Sequence, residues 1–238
     1  METELFVVMP VYNEEETLTK VVEEWIPVFR SHTRAFQFCI LNDGSKDSTL
    51  SILKQLAVTY PEIVVVDKPN SGHGQTCVTG YKLALKTAAS WVFQIDSDGQ
   101  CDPSFFGTFW EMRPNHAALY GYRKVRDDGY SRFLISRVVS LVTWIAAGRW
   151  VKDANVPYRL MRKDTLTGWI NEIPSDFHLA NVLVAALQDK KFRIKWLDIR
   201  FRERQGGRAS VKAYSFVKQG WLLFKQLRKQ SFRDFAIV

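Results

Sequence analysis

The sequence predicts an α/β fold, a mostly parallel sheet flanked by helices, and three observations predict it. Short β-branched runs alternate with helix-length apolar patterns through the first half of the chain, the rhythm of a parallel sheet covered by helices. The loops that follow the runs are rich in Asp, Asn, Ser and Gly, the composition of a site built beyond strand ends. The 238 residues, 46% hydrophobic and 24% charged, suit one large or two small globular domains. That composition excludes a disordered chain, a collagen and a polytopic membrane protein.

Taken in order, residues 5–9 read as a strand, 15–29 as a helix started near Asn13, and 36–41 as a second strand. Residues 48–57 form a helix started at Asp47, 63–66 a strand, 74–88 a helix opened by Gly72 and Gly74, and 91–95 a fourth strand. In such a series the loops starting at Pro10, Asn42, Asn70 and Asp96 line one crevice. After Cys101 the pattern gives a helix at 105–112, a strand at 118–122 and an apolar stretch at 133–148. The uninterrupted part, residues 138–148, is too short to cross ~30 Å of hydrocarbon at ~1.5 Å per residue. Arg132, Ser136, Ser140 and Thr143 recur at helical spacing, so a polar stripe runs along an otherwise apolar helix, as in interfacial or groove-lining helices.

Charge is distributed unevenly. The net charge is +8, and all of it lies in residues 200–238, which hold ten basic and two acidic side chains. A neutral body with a basic end is drawn to a polyanionic surface. Tyr214, Val217, Trp221 and Phe224 share a helical face beside Lys218, Lys225 and Lys229, whose stems can lie along apolar surface with their charges in water. A division follows into a catalytic unit, 1–210, including an amphipathic helix at 131–148, and a membrane-associating helix, 211–238. A nucleic-acid partner is not expected, because the neutral body offers no continuous basic groove. Three cysteines without metal-ligand spacing, and acidic residues Glu2 and Glu4 before the first apolar run, point to a reducing, cytoplasmic setting.

The sharpest local chemistry is Asp96-Ser97-Asp98-Gly99-Gln100, directly after the fourth strand. Two carboxylates one residue apart share a hard cation such as Mg2+ or Mn2+, with the Gln100 amide oxygen as a third ligand. So few protein oxygens leave coordination positions for a diphosphate.

Three ordered motifs carry a family resemblance: Met9-Pro10-Val11-Tyr12-Asn13-Glu14-Glu15, Asn42-Asp43-Gly44-Ser45-Lys46-Asp47-Ser48-Thr49, and Asp96 to Gln100. Each follows a strand, and together they resemble the signatures of family 2 glycosyltransferases, which have the GT-A fold. The resemblance covers roughly residues 4–212. It implies that Pro10, Tyr12, Glu14, Asn42 and Asp43 hold the base and ribose of a nucleoside diphosphate sugar, with Asp96 and Asp98 on the metal at its diphosphate. Asn42 stands where the family often has Asp, and His73 where it often has Lys or Arg.

Gln100, Arg123, the one-turn pair Arg132 and Ser136, and Arg204 resemble the polyprenyl-phosphate glycosyltransferases, relatives of dolichyl-phosphate mannose synthase. The resemblance implies an inverting transfer of sugar to a polyprenyl phosphate, with Arg123, Arg132, Ser136 and Arg204 on the acceptor phosphate and Asp96, Asp98 and Arg123 in the catalytic set. Guanidinium forks suit phosphate oxygens, and a phosphate dianion is already a nucleophile that needs no general base. Asp176 and His178 are the alternative, a base for a carbohydrate hydroxyl acceptor. Asp153 opens a further motif of the polyprenyl-phosphate group and is expected to orient the site loop. The expected setting is peripheral, on the cytoplasmic face of a membrane, with a separate membrane-anchoring protein as a possible partner.

Overall fold

The structure, a computed structural model, describes residues 3–126, 130–148, 150–177, 179–204 and 215–231. Its elements in chain order are β1 (Leu5–Val11), α1 (Leu18–His32), β2 (Phe36–Asp43), α2 (Thr49–Thr59), β3 (Ile63–Lys68), α3 (His73–Ala84) and β4 (Trp91–Ile95). The second half adds α4 (Phe106–Met112), β5 (Ala118–Arg126), α5 (Tyr130–Ala147), β6 (Tyr158–Arg162), α6 (Ala180–Phe192), β7 (Lys195–Phe201) and α7 (Ser215–Ser231). The strands form one seven-stranded sheet in the order β3-β2-β1-β4-β6-β5-β7. β6 runs antiparallel to β4 and β5, and the other pairings are parallel.

β1 is buried along its whole length because it lies inside the sheet, with β2 on one side and β4 on the other. The order of strands reverses there, and a reversal opens a crevice at the carboxyl ends. Helix α1 turns Leu18, Val21, Val22, Trp25, Ile26 and Phe29 inward at helical spacing. Trp25 and Phe29 join Phe93, Phe106 and Tyr158 in an aromatic cluster beneath the crevice. On the opposite face α3 lies against β1 at Gly80, where a Cβ would stand 2.3 Å from Val8 Cγ1. Only a residue without a side chain permits that approach.

Some boundaries differ from the sequence reading. α1 starts at Leu18 rather than 15, because the amides of Thr17 and Leu18 both donate to the Glu14 carbonyl in a turn before the helix. α3 ends at Ala84, and β5 continues to Arg126. β6, α6 and β7 are additional elements.

Helix α5 reverses the usual arrangement of a surface helix. Ser140 and Thr143, from the polar stripe, are fully buried, and their hydroxyls donate to the carbonyls of Ser136 (3.1 Å) and Val139 (2.8 Å). Val138, Leu141, Trp144 and Ile145 are exposed instead, and Trp150 is exposed just beyond the helix end. α7 packs beside α5 through buried Leu223 and Leu227 and leaves Trp221 59% exposed. Trp221 stacks on Phe224, with Lys225 and Arg228 over the two rings. No helix among the described residues is long and apolar enough to cross a membrane.

Candidate active site

The loops after β1, β2 and β4 and the start of α3 meet at the carboxyl end of the sheet. Asn13 there takes a positive φ of 52°, and its side-chain oxygen accepts from the Lys46 amide at 2.8 Å. That bond, with the Ser45 hydroxyl accepting from the Asn13 amide at 3.0 Å, ties the first loop to the second. Asp47 accepts from the Thr49 amide at 3.0 Å and caps the start of α2.

Asp43 is buried and organises the neighbouring loop. Its carboxylate accepts from Lys68 Nζ and from the amides of Ser71 (2.8 Å) and Gly72 (2.9 Å). Burial raises its pKa, but Lys68, the Ser71 amide and Thr76 outweigh it and hold the group below the usual carboxylate range. Gly72, at φ 85°, supplies the left-handed turn that leads into α3. Asn42 donates to Asp67 at 2.7 Å, a bond that an Asp in its place would exchange for like-charge repulsion. Pro10 is the penultimate residue of β1, and Tyr12 is 40% exposed at the crevice edge.

The carboxylates of the Asp96 loop are electrostatically crowded. Asp96 Oδ1 accepts from His73 Nε2 at 2.8 Å and from Gln94 Nε2 at 3.0 Å, and Asp98 Oδ1 accepts from the Gln100 amide at 3.2 Å. Burial, and then the Asp96 charge, push Asp98 up to about 6, against the pull of the Gln100 amide, Arg204 and His73. His73 loses hydration, but Asp96 beside it more than compensates and holds the imidazole well above its ordinary pKa. The hydrogen bonds that these two carboxylates accept fall on their Oδ1 atoms, and their Oδ2 atoms have no such partner among the described residues. Two crowded acids with oxygens to spare fit a divalent cation. No group of three or more His, Cys, Asp or Glu side chains is arranged to hold a metal among the described residues, so this site is a carboxylate pair with Gln100 adjacent. Gln100 is buried, and its Nε2 donates to the Arg202 carbonyl at 3.0 Å.

The end of β7 is laced to the same loop. The Arg202 amide donates to the Gln100 carbonyl at 3.0 Å, and the Arg202 guanidinium bridges Glu24 and Asp102, both at 2.9 Å. Two residues later Arg204 pairs with Glu14. Burial raises Glu14 to about 7, against the pull of Arg204 and the Thr17 hydroxyl and with a push from Asp98 and Asp96.

Arg123 stands nearby. Arg159 is level with Gln94 on one side and Tyr120 on the other, so Arg123 lies three residues further, level with Ser97. Its guanidinium makes a bidentate pair with Asp153, 2.7 Å on each arm, and donates to the Ser136 hydroxyl at 3.2 Å. Asp96, Asp98 and Arg123 all act on the buried thiol of Cys101, which burial first and then the two carboxylates raise well above its usual pKa.

The structure therefore brings Pro10, Tyr12, Glu14, Asn42, Asp43, Asp96, Asp98, Gln100, Arg123, Ser136 and Arg204 to one end of the sheet. Arg132 is in α5, and its side chain lies outside the described residues, as do His178 and residues 205–214. Asp176 is exposed, and its carbonyl accepts from Gln226 at 2.7 Å. Sequence reasoning missed Lys68, the partner of Asp43, because it lies beyond the expected end of a strand. It also missed Arg159, fully buried with its guanidinium on three backbone carbonyls, since a lone basic residue in an apolar run gives no signal of its role.

Comparisons with known proteins agree with this geometry. Residues 6–172 match glycosyl transferase family 2. Among curated relatives, the dolichyl-phosphate beta-glucosyltransferase ALG5D of Trichomonas vaginalis is 22% identical over 223 residues, covering 86% of this chain and 67% of the relative. The undecaprenyl-phosphate 4-deoxy-4-formamido-L-arabinose transferase of Pectobacterium carotovorum is 25% identical over 217 residues, covering 89% of this chain and 63% of the relative. This chain thus spans about two thirds of their length. Among solved structures, glucosyl-3-phosphoglycerate synthase of Mycobacterium tuberculosis, in complex with Mn2+, uridine-diphosphate and phosphoglyceric acid, superposes with a TM-score of 0.67 at 16% identity. That match covers 97% of this chain and 79% of the synthase. Residues 1–349 of TarS from S. aureus, in complex with UDP-GlcNAc, give 0.60 at 19% identity, covering 94% of this chain and 66% of the neighbour. The fold is of the GT-A type, and the chain belongs to glycosyl transferase family 2.

Proposed function

We propose that this glycosyltransferase moves a sugar from a nucleoside diphosphate sugar to a polyprenyl phosphate at a membrane surface, with inversion at the anomeric carbon. The observation that carries the reading is the placement of Arg123, with Ser136 and Asp153, level with the Asp96–Asp98 loop at the same end of the sheet. The names of the two curated relatives, both polyprenyl-phosphate enzymes, support it.

In this reading Pro10, Tyr12, Glu14, Asn42 and Asp43 hold the donor nucleoside. Asp96, Asp98 and Gln100 would hold Mg2+ or Mn2+, which supplies charge neutralisation on the leaving diphosphate. Arg123, aligned by Asp153, fixes the acceptor phosphate together with Arg132, Ser136 and Arg204. A phosphate oxygen attacks the anomeric carbon from the face opposite the diphosphate. The new carbon–oxygen bond forms as the bond to the diphosphate breaks, and the electron pair leaves with the diphosphate. No proton has to move, so Asp176 and His178 are not required as a base.

The exposed apolar faces of α5 and α7 with Trp150, flanked by Lys225 and Arg228, rest on the lipid surface. Burying large apolar side chains at ~1.5–3 kcal/mol each, with ~1 kcal/mol per basic group near an anionic leaflet, is sufficient for reversible attachment.

Incubation with a panel of radiolabelled nucleotide sugars, a short polyprenyl phosphate and Mg2+ or Mn2+ tests the reading. Organic-extractable label is expected for at least one donor. Label that passes only to carbohydrate hydroxyls, and is lost when Asp176 and His178 are replaced, overturns it.

A further inference from the structure

Asp96 is held from inside the protein as well as from the crevice. Behind it, Gln94 is fully buried, and its Nε2 donates to Asp96 Oδ1 at 3.0 Å. Gln94 Oε1 lies 3.4 Å from the hydroxyl of Tyr81, and the same hydroxyl lies 3.1 Å from Asn181 Oδ1. Both partners are buried, so the one hydroxyl proton of Tyr81 serves two side-chain carbonyls inside the core. Asn181 Nδ2 donates in turn to Cys77 Sγ at 3.3 Å. The backbone carbonyl of Asn181 accepts from Arg159 NH1 at 2.8 Å, and the other arms of Arg159 hold Ala154 (2.9 Å) and Val156 (2.8 Å), in the segment that begins with Asp153.

A polar chain therefore runs through an apolar core from α6 through α3 to β4 and ends on a crevice carboxylate. Three polar side chains buried in series are costly unless each is satisfied, and apolar residues of the same shape would fill the space at lower cost. The core itself has no need of them, but Asp96 does. With Oδ1 occupied by Gln94 and His73, the carboxyl group cannot rotate freely, and Oδ2 keeps a fixed direction.

We propose that Gln94, Tyr81 and Asn181 are positioning residues for the donor's diphosphate: they fix the orientation of Asp96 and so set the affinity of the site for a divalent ion with a nucleoside diphosphate. The proposal rests on the reading of Asp96 given under Proposed function. Arg159 anchors the far end of the chain and joins it to the segment that aligns Arg123.

The test uses the whole chain and measures Mn2+-dependent binding of UDP, GDP, CDP and dTDP by calorimetry, with melting temperature recorded in parallel. Y81F removes one oxygen and retains the ring. Using the nucleotide that binds wild type best, Y81F is expected to weaken binding roughly 10-fold, in the range seen when the hydrogen-bond partners of metal ligands are removed. Gln94→Met should do the same, and the double variant should be no weaker than Gln94→Met alone, because Tyr81 acts through Gln94. Gln94→Met also keeps the question open to measurement if Y81F does not fold. A lowered melting temperature with unchanged nucleotide affinity in both variants shows a purely structural chain and overturns the inference alone. A wild type that binds none of the four nucleotides with Mn2+ overturns the reading of the site, and the inference with it.

Discussion

Arg204 reaches Glu14 across 190 residues of sequence and closes the crevice between the loop after β1 and the segment after β7. The pair is unusual in that its acid is raised to about 7, because burial outweighs the attraction of the arginine.

A pH dependence follows from Glu14. Its pKa in the folded state lies above the ordinary 4.5, so the folded protein binds the extra proton more tightly than the unfolded chain. The group's contribution is then fully present below about pH 4.5 and is lost as pH rises towards 7. Glu14→Gln removes this slope. Urea unfolding between pH 4.5 and 7 is expected to show wild type losing on the order of 2–3 kcal/mol relative to E14Q across the window. Parallel curves for the two proteins contradict the assignment.

Arg123 and Asp153 form a mostly buried bidentate pair. Replacing Arg123 by Ala leaves a buried carboxylate without its partner and should cost about 3–5 kcal/mol. R123A/D153A should recover most of that loss, since neither charge is then left alone. Neither variant should transfer sugar to lipid phosphate at more than roughly one hundredth of the wild-type rate, because the guanidinium fork is gone in both. Nucleotide binding should be preserved in the double variant. Wild-type turnover by R123A/D153A excludes Arg123 from the acceptor site.

Trp144, Trp150 and Trp221 are each at least half exposed and lie on α5, just after it, and on α7. Replacing all three by Ser should leave the melting temperature unchanged, because no core contact is lost. Flotation on vesicles containing anionic phospholipid should fall at least ~10-fold, and transfer to a detergent-soluble short-chain acceptor should persist. Undiminished flotation removes these faces from the membrane contact.

The first half of the fold was legible because its strands are continuous apolar runs separated by turn residues, and each signature motif sits on a strand end. The second half was less so, for reasons visible in particular residues. β6 carries Arg159 at its centre, and a basic residue inside a strand contradicts the pattern of a buried strand until its three carbonyl partners are seen. α6 is buried almost all round from Ala180 to Ala186, so no apolar stripe marks it as a helix. β7 mixes charged and apolar residues, as an edge strand does. Among the site residues, the Asp96–Asp98 pair was evident from spacing alone. The partnership of Arg123 with Asp153 was not, because neighbours across 30 positions leave no local signature. The polar stripe of α5 was recognised, but its direction was not, since periodicity tells which residues share a face and not which way that face turns.

Gly80 lies far from the chemistry, yet the position has leverage over it. The helix that Gly80 seats on Val8 begins at His73, the imidazole bonded to Asp96, and also carries Tyr81. A methyl group at residue 80 would push the whole helix off the sheet, and the displacement would reach its first residue in the crevice. Alanine there would act as a remote lesion, one that disables sugar-nucleotide handling while every residue that handles it is still present.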